Sequence, residues 1–188
     1  MRKLKLQINI TLDGFVAGPE GELDWMTFDT SEPMADLVNE LTDSSDTILM
    51  GRKMTSEFVN YWENIVNHQP DSPEFEFAGK MVAIPKVIFS KSVTSVEGRN
   101  TRVENGDLIN AVRDLKSADG SDIIVYGGAG FVSAMIEKGL IDEYNLFFNP
   151  VSLGEGMRIF SDRTKLKLVD SRTFESGVVF NRYNPADR

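Results

Sequence analysis

The segment IIVYGGAGFV, residues 123–132, decides the fold class of this chain. Its first four residues form a continuous run of apolar and aromatic side chains, which is typical of a strand covered on both faces. Three glycines and an alanine follow, and apolar side chains then return with helical spacing over residues 131–136. A glycine turn between a buried strand and a helix indicates one βα unit of a mainly parallel sheet.

Further strands are predicted on both sides of this segment. Residues 4–12 alternate apolar and polar side chains, and short apolar runs occupy residues 47–50 and 87–89. Near the C-terminal end, residues 166–174 and 177–183 flank a Ser-Gly turn and have the pattern of a hairpin. We therefore expect a mostly parallel sheet with an antiparallel hairpin at its C-terminal edge.

Helices are predicted between these strands. Apolar residues spaced by three and four positions give single apolar stripes over residues 34–41 and 108–115. A further helix is expected to begin within residues 52–57 and another to run up to Ile84, whereas the polar stretch 60–73 is predicted to be irregular. The alternation of strands and helices predicts an α/β protein built as a three-layer α/β/α sandwich.

The composition limits the chemistry that this chain can perform. With 188 residues, 41% of them hydrophobic, the chain is expected to form a single domain over residues 1–188. It contains no cysteine and one histidine, His68, which argues against disulfides, zinc–thiolate sites, multi-histidine metal sites and a Ser-His-Asp triad. No metal site is predicted, and any reaction is expected to use carboxylates, hydroxyls, lysines or a bound cofactor.

The charge and hydropathy patterns restrict the partners. A net charge of −9 argues against binding to nucleic acid, although backbone N–H groups can still bind a small phosphorylated ligand. No stretch reaches the ~20 apolar residues of a membrane span. Polar residues interrupt the start of the chain, which therefore does not have the pattern of a signal peptide. We expect a cytoplasmic protein that binds a small-molecule substrate.

Candidate ligand-binding residues follow the predicted strands, because ligands of open α/β sheets bind beyond the carboxyl ends of the strands. Four such ends carry glycine or cationic residues, at 13–14, 51–53, 90–91 and 127–130. Glycines at the start of a helix let a phosphate approach the backbone N–H groups at the positive end of the helix dipole. The GxGxxG and GxxxxGK[ST] motifs are absent, so residues 127–130 fit a phosphate site and a simple tight turn equally well.

Four segments resemble, in order, those of one known family: LDGFVAG at 12–18, ILMGRK at 48–53, IVYGGA at 124–129, and a stretch from Asp142-Glu143 through PVSLGEG at 150–156 to Phe160. That family joins the dihydrofolate reductases to the C-terminal reductase domain of bacterial riboflavin-biosynthesis enzymes. The last segment favours the riboflavin-type branch. The resemblance spans nearly the whole chain and implies a dihydrofolate-reductase-like fold with NADPH as the cofactor.

The resemblance also implies which residues contact NADPH. Those expected at the phosphates on the adenosine side, including the 2′-phosphate, are Gly51, Arg52, Lys53, Ser90 and Lys91. Those expected at the diphosphate are Gly127, Gly128, Ala129, Gly130, Phe131 and Val132. Val16 and Ala17 would lie beside the nicotinamide. One position departs from the family, since Met54 stands where Thr is common and Thr55 follows it.

Asp36 is the residue that the resemblance suggests as catalytic. Related reductases carry an acid on the helix between the first two strands, and Asp36 is the nearest counterpart, one residue short of the dihydrofolate reductase spacing. It lies opposite the apolar stripe of its helix, so it faces either a cleft or water. Asp13 is interpreted as bonding its own turn, Trp25 as a loop anchor or pocket wall, and His68 as a surface residue.

The predicted function is an NADPH-dependent reductase that transfers hydride to a pyrimidine or pteridine compound. By resemblance, this compound is 5-amino-6-(5-phosphoribosylamino)uracil of riboflavin biosynthesis, and the companion deaminase domain is expected to be absent because its zinc site needs cysteine. Two alternatives stay open: dihydrofolate reductase, and a nucleotide-binding protein without catalysis. A homodimer is expected, to which Phe147 and Phe148 on a late strand contribute an apolar interface.

Overall fold

A computed structural model of the chain describes residues 1–186 and contains, in that range, one eight-stranded sheet with helices on both faces. The elements are β1 (Leu4–Thr11), α1 (Glu32–Asp43), β2 (Ser45–Gly51), α2 (Arg52–His68), α3 (Phe75–Ala83), β3 (Lys86–Phe89), β4 (Thr101–Glu104), α4 (Leu108–Ser117), β5 (Asp122–Gly127), α5 (Ala129–Glu137), β6 (Glu143–Asn149), β7 (Leu166–Thr173) and β8 (Val179–Pro185).

The strand order across the sheet is β4-β3-β2-β5-β1-β6-β8-β7. The first six strands in this order pair in parallel, whereas β8 pairs antiparallel with both β6 and β7. The mostly parallel sheet with an antiparallel C-terminal edge hairpin is therefore confirmed. The carboxyl ends of β1, β2, β3 and β5 meet at one edge of the sheet, and this edge carries the candidate site.

Two apolar clusters, one on each face of the sheet, form the core. On one face, α4 and α5 pack on β1, β5 and β6 through residues such as Leu6, Val112 and Met135. On the other face, α1, α2 and α3 cover β2, β3 and β5 through residues such as Leu41 and Ile88. These layers confirm the predicted α/β/α sandwich. No helix within the described range is long and apolar enough to cross a membrane.

One local prediction was wrong, and one strand was missed. Residues 60–68 are not irregular, because α2 continues to His68 and buries Val59 and Ile65 on its inner face. Trp62 of the same helix packs edge-on against Phe77 at a ring-centroid distance of 5.3 Å, and this tertiary contact stabilises a helix whose exposed face is strongly polar. Sequence analysis also missed β4, because Thr101–Glu104 is a short, polar strand at the sheet edge.

Candidate cofactor-binding and active site

A cavity of about 900 Å³ lies at the carboxyl ends of the parallel strands. This volume is in the usual range for small-molecule sites. Every residue predicted to bind the cofactor, except Val132, lines it: Val16, Ala17, Gly51, Arg52, Lys53, Ser90, Lys91, Gly127, Gly128, Ala129, Gly130 and Phe131. The fold thus brings residues from four separate strand ends to one cavity.

Val132 does not line the cavity. Its side chain is fully buried in the core below α5, and its amide N–H donates to the Gly128 carbonyl oxygen at 3.0 Å. This hydrogen bond is the first one of the helix, so the Val132 amide is not available to a ligand. Val132 therefore helps to hold the 127–130 turn, through its packing in the core and its hydrogen bond to Gly128.

Two helices begin at the cavity wall. α2 starts directly after Gly51 and α5 starts directly after Gly128, and both glycines line the cavity. A Cβ atom added to Gly51 would lie 2.9 Å from the Phe131 Cβ and 3.5 Å from the Gly128 nitrogen. The two helix N-termini are therefore adjacent. Their first N–H groups have no partner within the helices, and both dipoles favour an anion at this place.

The glycines of the 127–130 turn differ in what surrounds them. Gly127 has a φ of +151°, which disfavours other residues, and a Cβ there would lie 2.9 Å from the Met54 sulfur. The peptide bond between Gly127 and Gly128 is cis. At Gly128 and Gly130 an added Cβ would meet no atom within 4 Å. Protein packing therefore does not require glycine at these two positions, whereas a ligand that approaches the backbone closely does.

The cationic side chains of the site differ in whether they have hydrogen-bond partners within the protein. Arg52 and Lys53 are exposed, and their side chains form no ion pair or hydrogen bond with other residues in the range 1–186. Lys91 instead donates from Nζ to the carbonyl oxygens of Asn105 at 2.7 Å and Gly106 at 2.5 Å. Arg52 and Lys53 are thus the cations that remain available to a phosphate, while Lys91 also connects two loops.

The hydroxyl groups near this wall are used within the protein. Ser90 Oγ accepts hydrogen bonds from the backbone N–H groups of Ser92 and Val93, and so stabilises the turn after β3. Thr55 is buried and its hydroxyl donates to the Gly51 carbonyl oxygen at 3.2 Å. Met54, not Thr55, lines the cavity. The hydroxyl that the family commonly places at position 54 therefore has no replacement here.

The structure does not bring Asp36 to the cavity. Asp36 lies on the exposed side of α1, and among residues 1–186 no member of α1 lines the cavity. The carboxylates that do line it belong to Glu20, in the loop after β1, and Glu57 of α2. Sequence analysis did not single out either residue, because an isolated glutamate in a loop or on a helix has no distinguishing pattern.

The loop that carries Val16 and Ala17 is held by hydrogen bonds. Val16 N–H donates to the Met157 carbonyl oxygen, and Met157 N–H donates to the Ala17 carbonyl oxygen, both at 2.8 Å. This reciprocal pair explains why Met157 also lines the cavity. Trp25 donates from Nε1 to the Glu22 carbonyl oxygen at 3.0 Å and does not line the cavity, so its role is that of a loop anchor.

Asp13 connects this loop to a distant segment. It accepts hydrogen bonds from the Thr11 hydroxyl at 2.6 Å, the Ser152 hydroxyl at 2.8 Å and the Gly154 amide at 2.7 Å. The bond from Thr11 is the largest influence that holds the pKa of the Asp13 carboxyl well below its ordinary value. The predicted structural role of Asp13 thus extends beyond its own turn to the 152–154 segment.

Polar residues that were not predicted form another part of the wall. Gln7 and Asn9 of β1 and Tyr126 of β5 all line the cavity. The Tyr126 hydroxyl lies 3.2 Å from the Thr42 hydroxyl, and burial raises the pKa of Tyr126 to about 12. The period-2 pattern of residues 4–12 already showed that β1 has a polar face, but did not show that this face meets a cavity.

A mostly parallel sheet of this order, with a cavity at its carboxyl edge, defines a protein of the dihydrofolate-reductase-like fold. The family model of the RibD C-terminal domain matches residues 2–180, which is nearly the whole chain. The chain belongs to this family.

Individual relatives agree with this assignment. The protein YyaP of Bacillus subtilis (strain 168) is 37% identical over 181 residues, which cover 95% of this chain and 92% of that protein. A protein from Shewanella sp. PV-4 has a TM-score of 0.74 at 20% identity, with full coverage of both chains. The diaminohydroxyphosphoribosylaminopyrimidine deaminase/5-amino-6-(5-phosphoribosylamino)uracil reductase of Thermotoga maritima has a TM-score of 0.68 at 16% identity. That match covers 98% of this chain and 57% of the other. The two structures show the same fold.

Proposed function

We propose that this protein is an NADPH-dependent reductase whose hydride acceptor is a pyrimidine or pteridine compound. The observation that carries the proposal is the meeting of two helix N-termini with the uncommitted cations Arg52 and Lys53 at one cavity wall. Membership of the RibD C-terminal domain family supports the same reaction class. By analogy with the Thermotoga maritima enzyme, the acceptor that we propose is 5-amino-6-(5-phosphoribosylamino)uracil.

The residues present fit a phosphorylated dinucleotide. The open space in front of Gly128 and Gly130 gives a diphosphate access to backbone N–H groups of α5. Arg52 and Lys53, at the start of α2, supply the positive charge that a 2′-phosphate requires. Val16 and Ala17, in the loop after β1, add apolar surface to the lining of the same cavity, against which a nicotinamide ring fits.

The bound cofactor would supply the hydride, and the protein has to position and shield the reacting groups. The loop at Val16 and Ala17 is fixed by its hydrogen bonds to Met157, so it can hold a ring against the sheet. Leu23 and Met26 add apolar side chains to the cavity lining, which a bound substrate would cover. None of these roles needs a histidine or cysteine.

We also propose that the protein is a homodimer in the cytoplasm, where NADPH is available. Of the two residues predicted at the interface, Phe147 is buried in the core, with its ring 5.1 Å from that of Phe180. Phe148 lines an apolar groove of about 300 Å³ on the opposite face of the sheet and can contribute to an interface. Sedimentation should give about twice the chain mass of 21.0 kDa; a monomer at all concentrations would contradict the dimer.

Binding of NADPH and NADH to the wild type and to Arg52→Ala and Lys53→Ala tests the cofactor assignment. Because hydrogen bonds between charged groups are worth about 1.5–3 kcal/mol, each change should weaken NADPH about tenfold or more and leave NADH nearly unchanged. Lys138→Ala, which removes an exposed cation at the far end of α5, is the matched control. Equal losses for both nucleotides would show that these cations do not bind the 2′-phosphate.

Oxidation of NADPH in the presence of the ribosylaminopyrimidine tests the reaction. Turnover with this compound supports the proposal, whereas turnover with dihydrofolate alone would identify a dihydrofolate reductase. Tight NADPH binding without turnover of either compound would show a nucleotide-binding protein without reductase activity on these acceptors.

A further inference from the structure

β1 has a polar face at a place where a sheet is usually apolar. It is the fifth strand of eight, with β5 and β6 beside it. Strands in such interior positions are commonly apolar on both faces because helices cover them. Lys5, Gln7, Asn9 and Thr11 nevertheless alternate with apolar residues and so share one face. Each of these polar groups needs a hydrogen-bond partner in the protein or in a ligand.

Three of the four side chains have partners within the protein. The partners are Asp122 for Lys5 at 2.8 Å, Asn149 for Asn9 at 3.0 Å and Asp13 for Thr11 at 2.6 Å. Gln7 differs. Its Oε1 is buried and has no hydrogen-bond partner among residues 1–186, although the side chain lines the cavity.

The polar neighbours of Gln7 make hydrogen bonds to other residues. Asn145 lies on β6, directly opposite Gln7 on β1. Its Nδ2 donates to Glu143 at 3.1 Å, and its Oδ1 accepts from Arg182 at 3.1 Å. On the other side, Leu6 pairs with Val125, so the following residues, Gln7 and Tyr126, are neighbours on β1 and β5.

The hydroxyl of Tyr126 is within hydrogen-bond distance of Thr42. Within residues 1–186, no donor of either neighbouring strand lies within hydrogen-bond distance of Gln7 Oε1. A buried acceptor without a partner reduces stability, and a ligand that donates to it would recover this loss.

We propose that Gln7 recognises the cyclic amide of the hydride acceptor. Oε1 accepts a hydrogen bond from a ring N–H, and Nε2 donates to the adjacent ring carbonyl. A primary amide carries both a donor and an acceptor, which match the N–H and C=O that a cyclic amide presents side by side. This inference rests on the proposed function and defines the acceptor more narrowly, as a heterocycle with an unsubstituted N–H beside a carbonyl.

If Gln7 recognises the ring N–H, then Gln7 alone should make the protein select against N-alkylated rings. A site built to pair with an N–H discriminates strongly against an analogue that lacks it, because the polar group of the protein is then left unpaired. The two probes are 5,6-diaminouracil and its 1,3-dimethyl derivative, in which methyl groups replace the hydrogen atoms on both ring nitrogens. Binding of each is measured by calorimetry to the full chain, with and without NADP⁺.

The wild type should bind diaminouracil at least tenfold more tightly than the dimethyl compound. Gln7→Met, which keeps the side-chain length and removes both polar atoms, should reduce this preference to about twofold or less. Gln69→Met is the matched control, because it makes the same change at the chain's other glutamine, which is exposed and outside the cavity. Gln7→Leu gives a second apolar variant in case Gln7→Met does not fold.

Thermal unfolding of the ligand-free variants gives an independent readout. Gln7→Met should have an unchanged or higher Tm than the wild type, because it removes an unpaired buried acceptor. A clear decrease in Tm would show that Gln7 has a partner within the protein and would overturn the inference. A wild type without preference between the probes, or a Gln7→Met variant that keeps the preference, would overturn it as well. A protein that binds diaminouracil through Gln7 but does not bind NADP⁺ would contradict only the proposed function.

Discussion

Gly51 lies directly against Phe131: a Cβ atom added to Gly51 would be 2.9 Å from the Phe131 Cβ. Phe131 in turn stacks on Phe89, with ring centroids 5.0 Å apart. This contact holds the start of α2 beside the start of α5, at the ends of β2, β3 and β5. The wall that we propose to bind phosphate thus depends on a position where even an added Cβ atom comes too close to Phe131.

Gly51→Ala should therefore destabilise the protein. The backbone at Gly51 has a φ of −79°, which alanine tolerates, so the effect is that of the added methyl group alone. Overpacking of this kind costs about 1–3 kcal/mol. Urea unfolding of both proteins measures the change. An unchanged free energy of unfolding would mean that α5 moves away from α2 without cost.

Gly130→Ala should weaken NADPH binding without destabilising the protein, unlike Gly51→Ala. An added Cβ at Gly130 meets no protein atom within 4 Å, and alanine is favoured over glycine in a helix by up to about 1 kcal/mol. The free energy of unfolding should therefore stay equal or rise, while NADPH binds more weakly because the methyl group occupies the approach to the backbone. Calorimetry and urea unfolding of the same variant test both parts. Undiminished NADPH affinity would place the diphosphate elsewhere.

Lys86 should make stability rise with pH above about 8. It is 2% exposed and donates from Nζ to the carbonyl oxygens of Val82 at 3.1 Å and Ile84 at 2.9 Å. Burial lowers the pKa of Lys86 from 10.5 to about 8, and Glu63 opposes this shift. Between these two pH values the unfolded chain holds more protons than the folded protein, so stability increases with pH.

The contribution of Lys86 should grow by roughly 2 kcal/mol between pH 7.5 and 9.5. Tyr61 and Tyr126, whose pKa values are raised to about 12 in the folded protein, contribute equally in the wild type and in the Lys86→Met variant, so their effect cancels in the difference. Lys86→Met is the comparison, and only the difference in pH slope between the two proteins counts. Parallel slopes would show that Lys86 titrates normally.

Asp13→Ala should loosen the connection between the β1 loop and residues 152–154. Alanine has no acceptor oxygen, so the Ser152 hydroxyl and the Gly154 amide, which both donate to Asp13 Oδ2, lose their partner. Amide hydrogen exchange at Gly154 should become faster, while exchange within the core strands stays slow. In the wild type the Asp13 carboxylate should stay ionised in mild acid because its pKa is lowered, and its contribution to stability should decline progressively as the pH falls below about 3.8. Equal exchange rates at Gly154 would contradict the role of Asp13.

Most of the fold could be predicted from local patterns. Apolar runs and helical stripes identify the central strands and helices, since burial on one or both faces leaves a period in the sequence. Prediction from periodicity failed for elements that are stabilised by tertiary contacts and have no clear apolar period. β4 is polar and held by pairing with β3, and the second half of α2 is stabilised by aromatic contacts of Trp62 across to α3.

The candidate site also contains residues that could be placed from the sequence and residues that could not. Glycine and cationic residues at strand ends could be placed together because parallel strands end at one edge of the sheet. Asp36 could not be placed, because a helical wheel separates polar from apolar faces but does not show which polar face meets a cavity. Glu57 meets the cavity and Asp36 does not, although both lie on the polar face of a helix.

The sequence by itself determined the layered α/β architecture and the strand ends that carry the candidate site. Periodicity and glycine turns are local, and they follow from burial and backbone geometry. Only the tertiary structure decided which polar groups remain without a partner. It pairs Lys5 and Asn9 with residues far away in the chain and leaves the Gln7 side-chain oxygen unpaired at the cavity. Hydrogen-bond satisfaction depends on distances between side chains, and the order of residues does not specify those distances.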